Sequence, residues 1–238
     1  GTLQEDCRSP VSTDPYSIAD PNHWYCMAQH SDTRVDIDLE EVTLEGILDV
    51  PPDAPGIVVF AHGSGSSRHS PRNNYVAEEI RSRGLGTLLF DLLTEAEDRV
   101  RSIRFDIPLL TGRLVGAVDW LQEEDTGATA NVGLFGSSTG AAAALRAAAR
   151  MDGIGAVVSR GGRVDMASDA FADVESPTLL IVGGDDTQVL DLNREAERRL
   201  ACKTDLHVVA GAGHLFSGEG ELEEVADVAA DWFANELR

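Results

Sequence analysis

Two hydrophobic patterns alternate along the chain. Residues 36–41 and 42–50 largely alternate apolar and polar residues, the period of a hairpin with one face in water, and Pro51-Pro52-Asp53 ends it. Residues 56–61, 86–90, 132–135, 156–159, 178–182 and 206–209 are short, largely apolar runs, as in strands covered on both faces. Between them, helices are predicted over about 73–83, 108–124, 141–150, 190–200 and 221–237. Pro108 opens the second, which carries Leu109, Leu110, Leu114, Val118 and Leu121 at helical spacing. Strands alternating with helices predict an α/β fold: a mostly parallel sheet of about eight strands with helices on both faces, the hairpin at one edge, and little or no cap. The charged stretch 92–107 is irregular and could lie over a cleft as a partial lid.

Residues 1–34 break the pattern. Turn residues such as Cys7-Arg-Ser-Pro10 and Asp20-Pro-Asn-His23 punctuate them without periodicity, so they read as an irregular extension to one domain over 35–238. Trp24 and Tyr25 are expected to pin the extension to the domain surface. Cys7, His23, Cys26 and His30 match no familiar zinc spacing, and no metal is expected. The cysteines, Cys7, Cys26 and Cys202, are too few and scattered for a disulfide framework. With no run near the ~20 apolar residues of a membrane span and no basic-then-apolar leader, the expectation is a soluble, cytoplasmic protein. The 41 acidic and 19 basic residues leave a formal net charge of −22. That field repels phosphate backbones and anionic lipid, so neither nucleic acid nor membrane is an expected partner. A carboxylate-rich surface with Lys203 as its only lysine suits a salty cytoplasm.

The chemistry centres on Gly136-Ser-Ser-Thr-Gly140, a G-x-S-x-G match with a short apolar strand before it and an alanine-rich helix former after it. In that strand–turn–helix context Ser138 sits at the apex as a candidate nucleophile; alone, the pattern fits a helix-capping turn equally well. A serine needs a base, and the base needs a partner to hold its tautomer. His214, in the glycine-rich turn after the last strand, is the candidate base, while His207 lies inside a predicted strand. Asp185 and Asp186 both follow the strand over 178–182 and are the candidate acids, with Asp91 and Asp165 behind them. An oxyanion hole would combine the backbone N–H of Thr139 with that of Ser64. His62 is expected to bond loop backbone.

These residues resemble the dienelactone-hydrolase-like branch of the α/β hydrolases. The likeness rests on Phe60 to Asn74, Leu88 to Thr94, Gly136 to Ala144, Val158 to Arg163, Leu179 to Asp186 and Gly211 to Phe216. It implies the α/β-hydrolase fold, a small-molecule ester or lactone as substrate, no cofactor, and Asp186 rather than Asp185 as the acid, from the family's Gly-Gly-x-Asp pattern. Dienelactone hydrolases proper use a cysteine nucleophile; Ser138 in its place points to a general carboxylic-ester hydrolase. Acyl transfer with the same residues is the alternative, and a retired hydrolase serving a phosphoribosyltransferase is a third reading. Members of this branch are sometimes fused behind a phosphoribosyltransferase domain, and segments within residues 14–32 are faintly similar to the tail of one. The phosphate-binding loop is absent, so transferase activity is not expected.

Arg68, Arg72, Arg160 and Arg163 lie near the predicted cleft mouth. Arg68 and Arg160 are candidates to hold an anionic group of the substrate, against the plainer role of pairing with surface carboxylates.

Overall fold

The alternating segment folds as the expected hairpin, β1 (Thr33–Leu39) and β2 (Val42–Asp49), in register from Leu39 opposite Val42 to Thr33 opposite Leu48. In the computed structural model, which describes residues 33–124 and 130–238, β1 starts inside the stretch read as irregular. The zinc-type cluster, Trp24, Tyr25 and the segments similar to a transferase tail lie outside the described residues.

The apolar runs form β3 (Gly56–Ala61), β4 (Gly86–Phe90), β5 (Asn131–Ser137), β6 (Ile154–Arg160), β7 (Thr178–Gly183) and β8 (Thr204–Val209). Together the strands make one eight-stranded sheet in the order β1-β2-β4-β3-β5-β6-β7-β8. The hairpin is its antiparallel edge and the six later strands are parallel to one another. Every residue of β3, β4 and β7 is buried, as an apolar run without alternation requires.

Among the described residues six α-helices accompany the sheet: α1 (Pro71–Ser82), α2 (Glu95–Asp98), α3 (Ile107–Glu123), α4 (Thr139–Ala148), α5 (Thr187–Arg199) and α6 (Glu221–Glu236). Two apolar clusters lie on the two faces of the sheet. One joins α3, α4 and α5 through Leu114, Val118, Leu145 and Ala196; the other joins α1 and α6 through Val76, Ile80, Val225 and Phe233. Each fully buried side chain of this kind contributes about 1.5–3 kcal/mol, so truncating Leu134 or Phe135 in the central strand would cost several kcal/mol.

Local chemistry sets the helix ends. The Ser70 hydroxyl accepts from the Asn73 N–H to start α1, and Asp106 accepts from Leu109 N–H to start α3 one residue before Pro108. The charged stretch 92–107 is less irregular than its sequence suggests. Thr94 and Glu97 form a reciprocal capping box at α2, and a 3-10 turn covers Ile103–Phe105.

Candidate active site

The turn at Ser138 depends on two residues without side chains. A Cβ on Gly136 would collide with the Ala141 backbone, and one on Gly140 with the Ala61 carbonyl, so only glycine lets α4 start this close to β3 and β5. Ser138 has φ 52° and ψ −118°, a region that costs a non-glycine residue about 1–3 kcal/mol. Neighbouring backbone holds it there. Its N–H donates to Arg160 O at 3.1 Å, and its carbonyl accepts from Arg163 N–H at 3.0 Å and Ala141 N–H at 3.2 Å. Thr139, the first residue of α4, has an N–H with no carbonyl a turn before it, and the positive end of the helix dipole lies at the same point.

The loops after β7 and β8 are tied together by backbone. Gly184 N–H donates to Val209 O at 2.8 Å and Asp185 N–H to Ala212 O at 2.9 Å, which sets Asp186 opposite His214. The Nδ1 of His214 bonds Asp186 Oδ2 at 2.6 Å. Asp186 has a side chain only 15% exposed, while that of His214 is 40% exposed, so the carboxylate is sheltered and the far edge of the imidazole stays reachable. Asp185 is exposed and Asp91 and Asp165 pair with arginines, so of the acids weighed Asp186 is the one on His214. The loop after β6 links this pair to the elbow: Arg160 O holds Ser138 N–H, and a Cβ placed on the next residue, Gly161, would lie 3.5 Å from His214 Cε1.

His62 is buried and fully engaged. Its Nε2 accepts from Leu92 N–H at 3.1 Å and its Nδ1 bonds Gly63 O at 3.0 Å, which together select the neutral tautomer with the proton on Nδ1. Burial pushes its pKa below the ordinary histidine range, against the hydrogen bond to Gly63 and the charge of Asp91. The imidazole thus fastens the β3 and β4 loops, the structural part expected of it. His207, half-buried on β8, bonds Glu224 at 2.7 Å.

Ser64 and Thr139 adjoin, and the Ser64 N–H expected to be an oxyanion donor is engaged by the Thr139 hydroxyl at 3.0 Å. The arginines divide. Arg68 is ion-paired to Asp91 and Glu45, and Arg163 to Asp165 at 2.8 Å, the plainer role weighed for them. Arg160 and Arg72 make no ion pair among the described residues. Arg104, which the sequence reading passed over, approaches the same loop. Its guanidinium end lies 3.5 Å from where a Cβ on Gly65 would stand, its Nε is buried without a partner, and it shares a small crevice with Ser64 and Asp98. The only hint in the sequence was the charged stretch 92–107. Beside it a cavity of about 500 Å³, lined by Glu45, His62, Ser67, Arg68 and Asp91, opens between the loops after β3 and β4 rather than over Ser138.

The family model described as Dienelactone hydrolase family matches residues 44–237. The chain belongs to that family. It is 49% identical to a dienelactone hydrolase from Anabaena variabilis, whose crystal structure superposes with a TM-score of 0.86 over 88% of this chain and 100% of that one. Est1E from Butyrivibrio proteoclasticus, at 16% identity and a TM-score of 0.73 over 86% of this chain and 98% of its own, shares the fold. Two provisionally named phosphoribosyl transferases from strains of Mycobacterium tuberculosis are 53% identical over 208 residues, 87% of this chain and 47% of theirs. The chain therefore spans about half the length of these curated relatives. Among the described residues no helix is long and apolar enough to cross a membrane, and no cluster of three metal-ligating side chains occurs.

Proposed function

We propose that the chain hydrolyses a small carboxylic ester or lactone through Ser138, His214 and Asp186. The observation that carries this reading is the 2.6 Å bond from His214 to a sheltered Asp186, beside a loop whose backbone also holds the strained Ser138. In the first half-reaction Ser138 Oγ adds to the ester carbonyl carbon while His214 Nε2 takes the hydroxyl proton. Asp186 keeps the Nδ1 proton in place and stabilises the imidazolium. The carbonyl oxygen becomes an oxyanion, met by the N–H of Thr139 and by that of Ser64 once it leaves the Thr139 hydroxyl. Collapse breaks the ester C–O bond, His214 returns the proton to the leaving alcohol, and an acyl group remains on Ser138. Water then repeats the sequence, releasing the acid and restoring the serine. No cofactor enters any step.

A fluorophosphonate probe and a p-nitrophenyl ester test this directly. Wild type is expected to label and to turn over, and Ser138→Ala to do neither while keeping its fold by circular dichroism. A folded wild type that neither labels nor turns over would overturn the reading.

The name and greater length of the mycobacterial relatives support association with a phosphoribosyltransferase, as domain or partner. Co-purification with such a protein from cells producing the tagged chain would support it, and its absence under gentle extraction would count against it.

A further inference from the structure

The sheet ends in two edge strands, β1 and β8. An edge offers a row of N–H and C=O groups to any second strand, and natural edges are guarded by charge. On β1 every exposed residue is polar, Asp36 and Asp38 among them, whereas β8 exposes Val208, with Leu206 half-buried two residues before it. The backbone of β8 is in phase with these side chains. Lys203 O accepts from Thr178 N–H and Val209 O from Gly184 N–H, both at 2.8 Å, so Lys203, Asp205, His207 and Val209 turn their backbone groups toward β7. Thr204, Leu206 and Val208 therefore turn theirs outward, where among the described residues no strand meets them. Their side chains share one face of the sheet, on which Leu206 packs with Val182, Val189 and Leu190. Asp205 and His207 share the other, where His207 Nε2 bonds Glu224 of α6.

This edge is complementary to itself. We propose that β8 pairs antiparallel with β8 of a second copy of the chain about a two-fold axis at Leu206, joining the two sheets into one. Leu206 then lies opposite the partner's Leu206, and Thr204 opposite the partner's Val208. In these pairs the outward N–H and C=O groups meet across the axis, and the exposed valine is covered. Asp205 lies opposite the partner's His207, whose Nδ1 has no hydrogen bond among the described residues, so a carboxylate–imidazole contact forms twice. The same residues fix the register. Moving the axis one residue toward Thr204 carries Val208 past the end of the partner strand and sets Asp205 against the partner's Asp205. Moving it one residue the other way strands Thr204 and takes Asp205 off the partner's His207. Each copy carries a formal −22, so the strands meet against a repulsion that salt screens.

The test is the mass of the protein in solution, read by sedimentation equilibrium. Wild type is expected to be a dimer in about 1 M sodium chloride and to have a dissociation constant at least about tenfold higher near 0.1 M, as screening of two like net charges requires. Val208→Pro removes an outward N–H and leaves the ladder to β7 whole, since a sheet accepts proline where its nitrogen faces away from the ladder. Leu206→Lys sets two like charges opposite each other on the axis. Both variants are expected to be monomers at high salt with the circular dichroism of wild type. Val100→Ser, which removes an exposed apolar side chain from the segment 92–107, is expected to stay dimeric.

Cross-linking reads the register, and carries the test should Leu206→Lys or Val208→Pro fail to fold. Cysteine is introduced by Leu206→Cys or Asp205→Cys into a chain bearing Cys7→Ser, Cys26→Ser and Cys202→Ser. Opposite residues of a hydrogen-bonded antiparallel pair have Cα atoms about 5.5 Å apart, within reach of a disulfide, whereas residues offset by two are about 7–8 Å apart and beyond it. Under oxidation Leu206→Cys is expected to run as a covalent dimer on a denaturing gel and Asp205→Cys as a monomer. A monomeric wild type at every salt concentration, a dimer that survives both Val208→Pro and Leu206→Lys, or cross-linking of Asp205→Cys in preference to Leu206→Cys overturns the proposal.

Discussion

The backbone N–H of Ser64 donates to the hydroxyl of Thr139 at 3.0 Å, joining the loop after β3 to the first turn of α4 across 75 residues of sequence. Both residues are proposed for the oxyanion hole, and in the resting structure this bond occupies the Ser64 N–H and holds it beside α4 until substrate arrives. A hydroxyl that accepts from an N–H keeps its own proton to donate, and accepting makes it a better donor. Thr139→Val is therefore expected to lower kcat on a p-nitrophenyl ester about tenfold or more with little change in KM, and Thr139→Ser to recover most of the loss. Valine matching wild type in kcat would show that the hydroxyl has no part in positioning the donors.

The neighbouring aspartates Asp185 and Asp186 allow a sharp contrast. Asp186 bonds His214 Nδ1 at 2.6 Å, whereas Asp185 is exposed. An amide in place of Asp186 can present an N–H to the imidazole and stabilise the wrong tautomer, a change worth about 10⁴ in kcat in serine hydrolases of this design. Asp186→Asn is expected to show a loss of that order and slow fluorophosphonate labelling, while Asp185→Asn stays within about threefold. Comparable losses in the two variants would remove Asp186 from the role.

The elbow was legible in the sequence because its requirements are local. A strand end, two glycines flanking Ser-Ser-Thr and a helix former must be adjacent in the chain, and Gly136 and Gly140 abut backbone as the motif demands. The mostly parallel sheet followed from the alternation of strands and helices, and its edge hairpin from period-two patterning. The arginines could not be sorted in this way. Arg68 meets Glu45 and Asp91, each 23 residues away along the chain, and only the sheet brings them within reach. Arg160 and Arg72 differ from Arg68 by the absence of such a partner, which no local pattern records. The Ser64–Thr139 bond is a long-range contact of the same kind. By contrast, the capping box of α2 was readable in Thr94-Glu-Ala-Glu97 and was passed over because the surrounding charges looked irregular.

Net charge gives a prediction for the whole molecule. With a formal −22 and several ion pairs, such as Arg99–Glu95 and Arg198–Glu195, exposed to water, self-repulsion outweighs local attraction at low ionic strength. Salt shortens the reach of that repulsion to a few ångströms near 1 M. The melting temperature is expected to rise between low salt and about 1 M sodium chloride by at least ~4 °C, on the order of 1 kcal/mol or more for a domain of this size. A melting temperature that stays level or falls would mean that the exposed ion pairs matter more than the repulsion.

His62 makes stability depend on pH with a definite sign. In the folded protein it is neutral, with Nε2 accepting from Leu92 N–H, and burial holds its pKa below the 6.5 of an unperturbed histidine. The unfolded chain takes up this proton as pH falls through 6.5, and the folded chain does not until its lowered pKa is reached. Between those limits the unfolded state binds more protons, so stability falls as pH falls, by up to about 1.4 kcal/mol per pH unit from this one group. His62→Gln loses a buried bond and is expected to be less stable throughout, yet its stability should decline less steeply from pH 7 to 5. Urea unfolding across that range measures the difference between the two slopes, to which the other histidines contribute equally in both proteins. Parallel profiles would mean that His62 titrates alike in the folded and unfolded chains, contrary to its burial between Gly63 and Leu92.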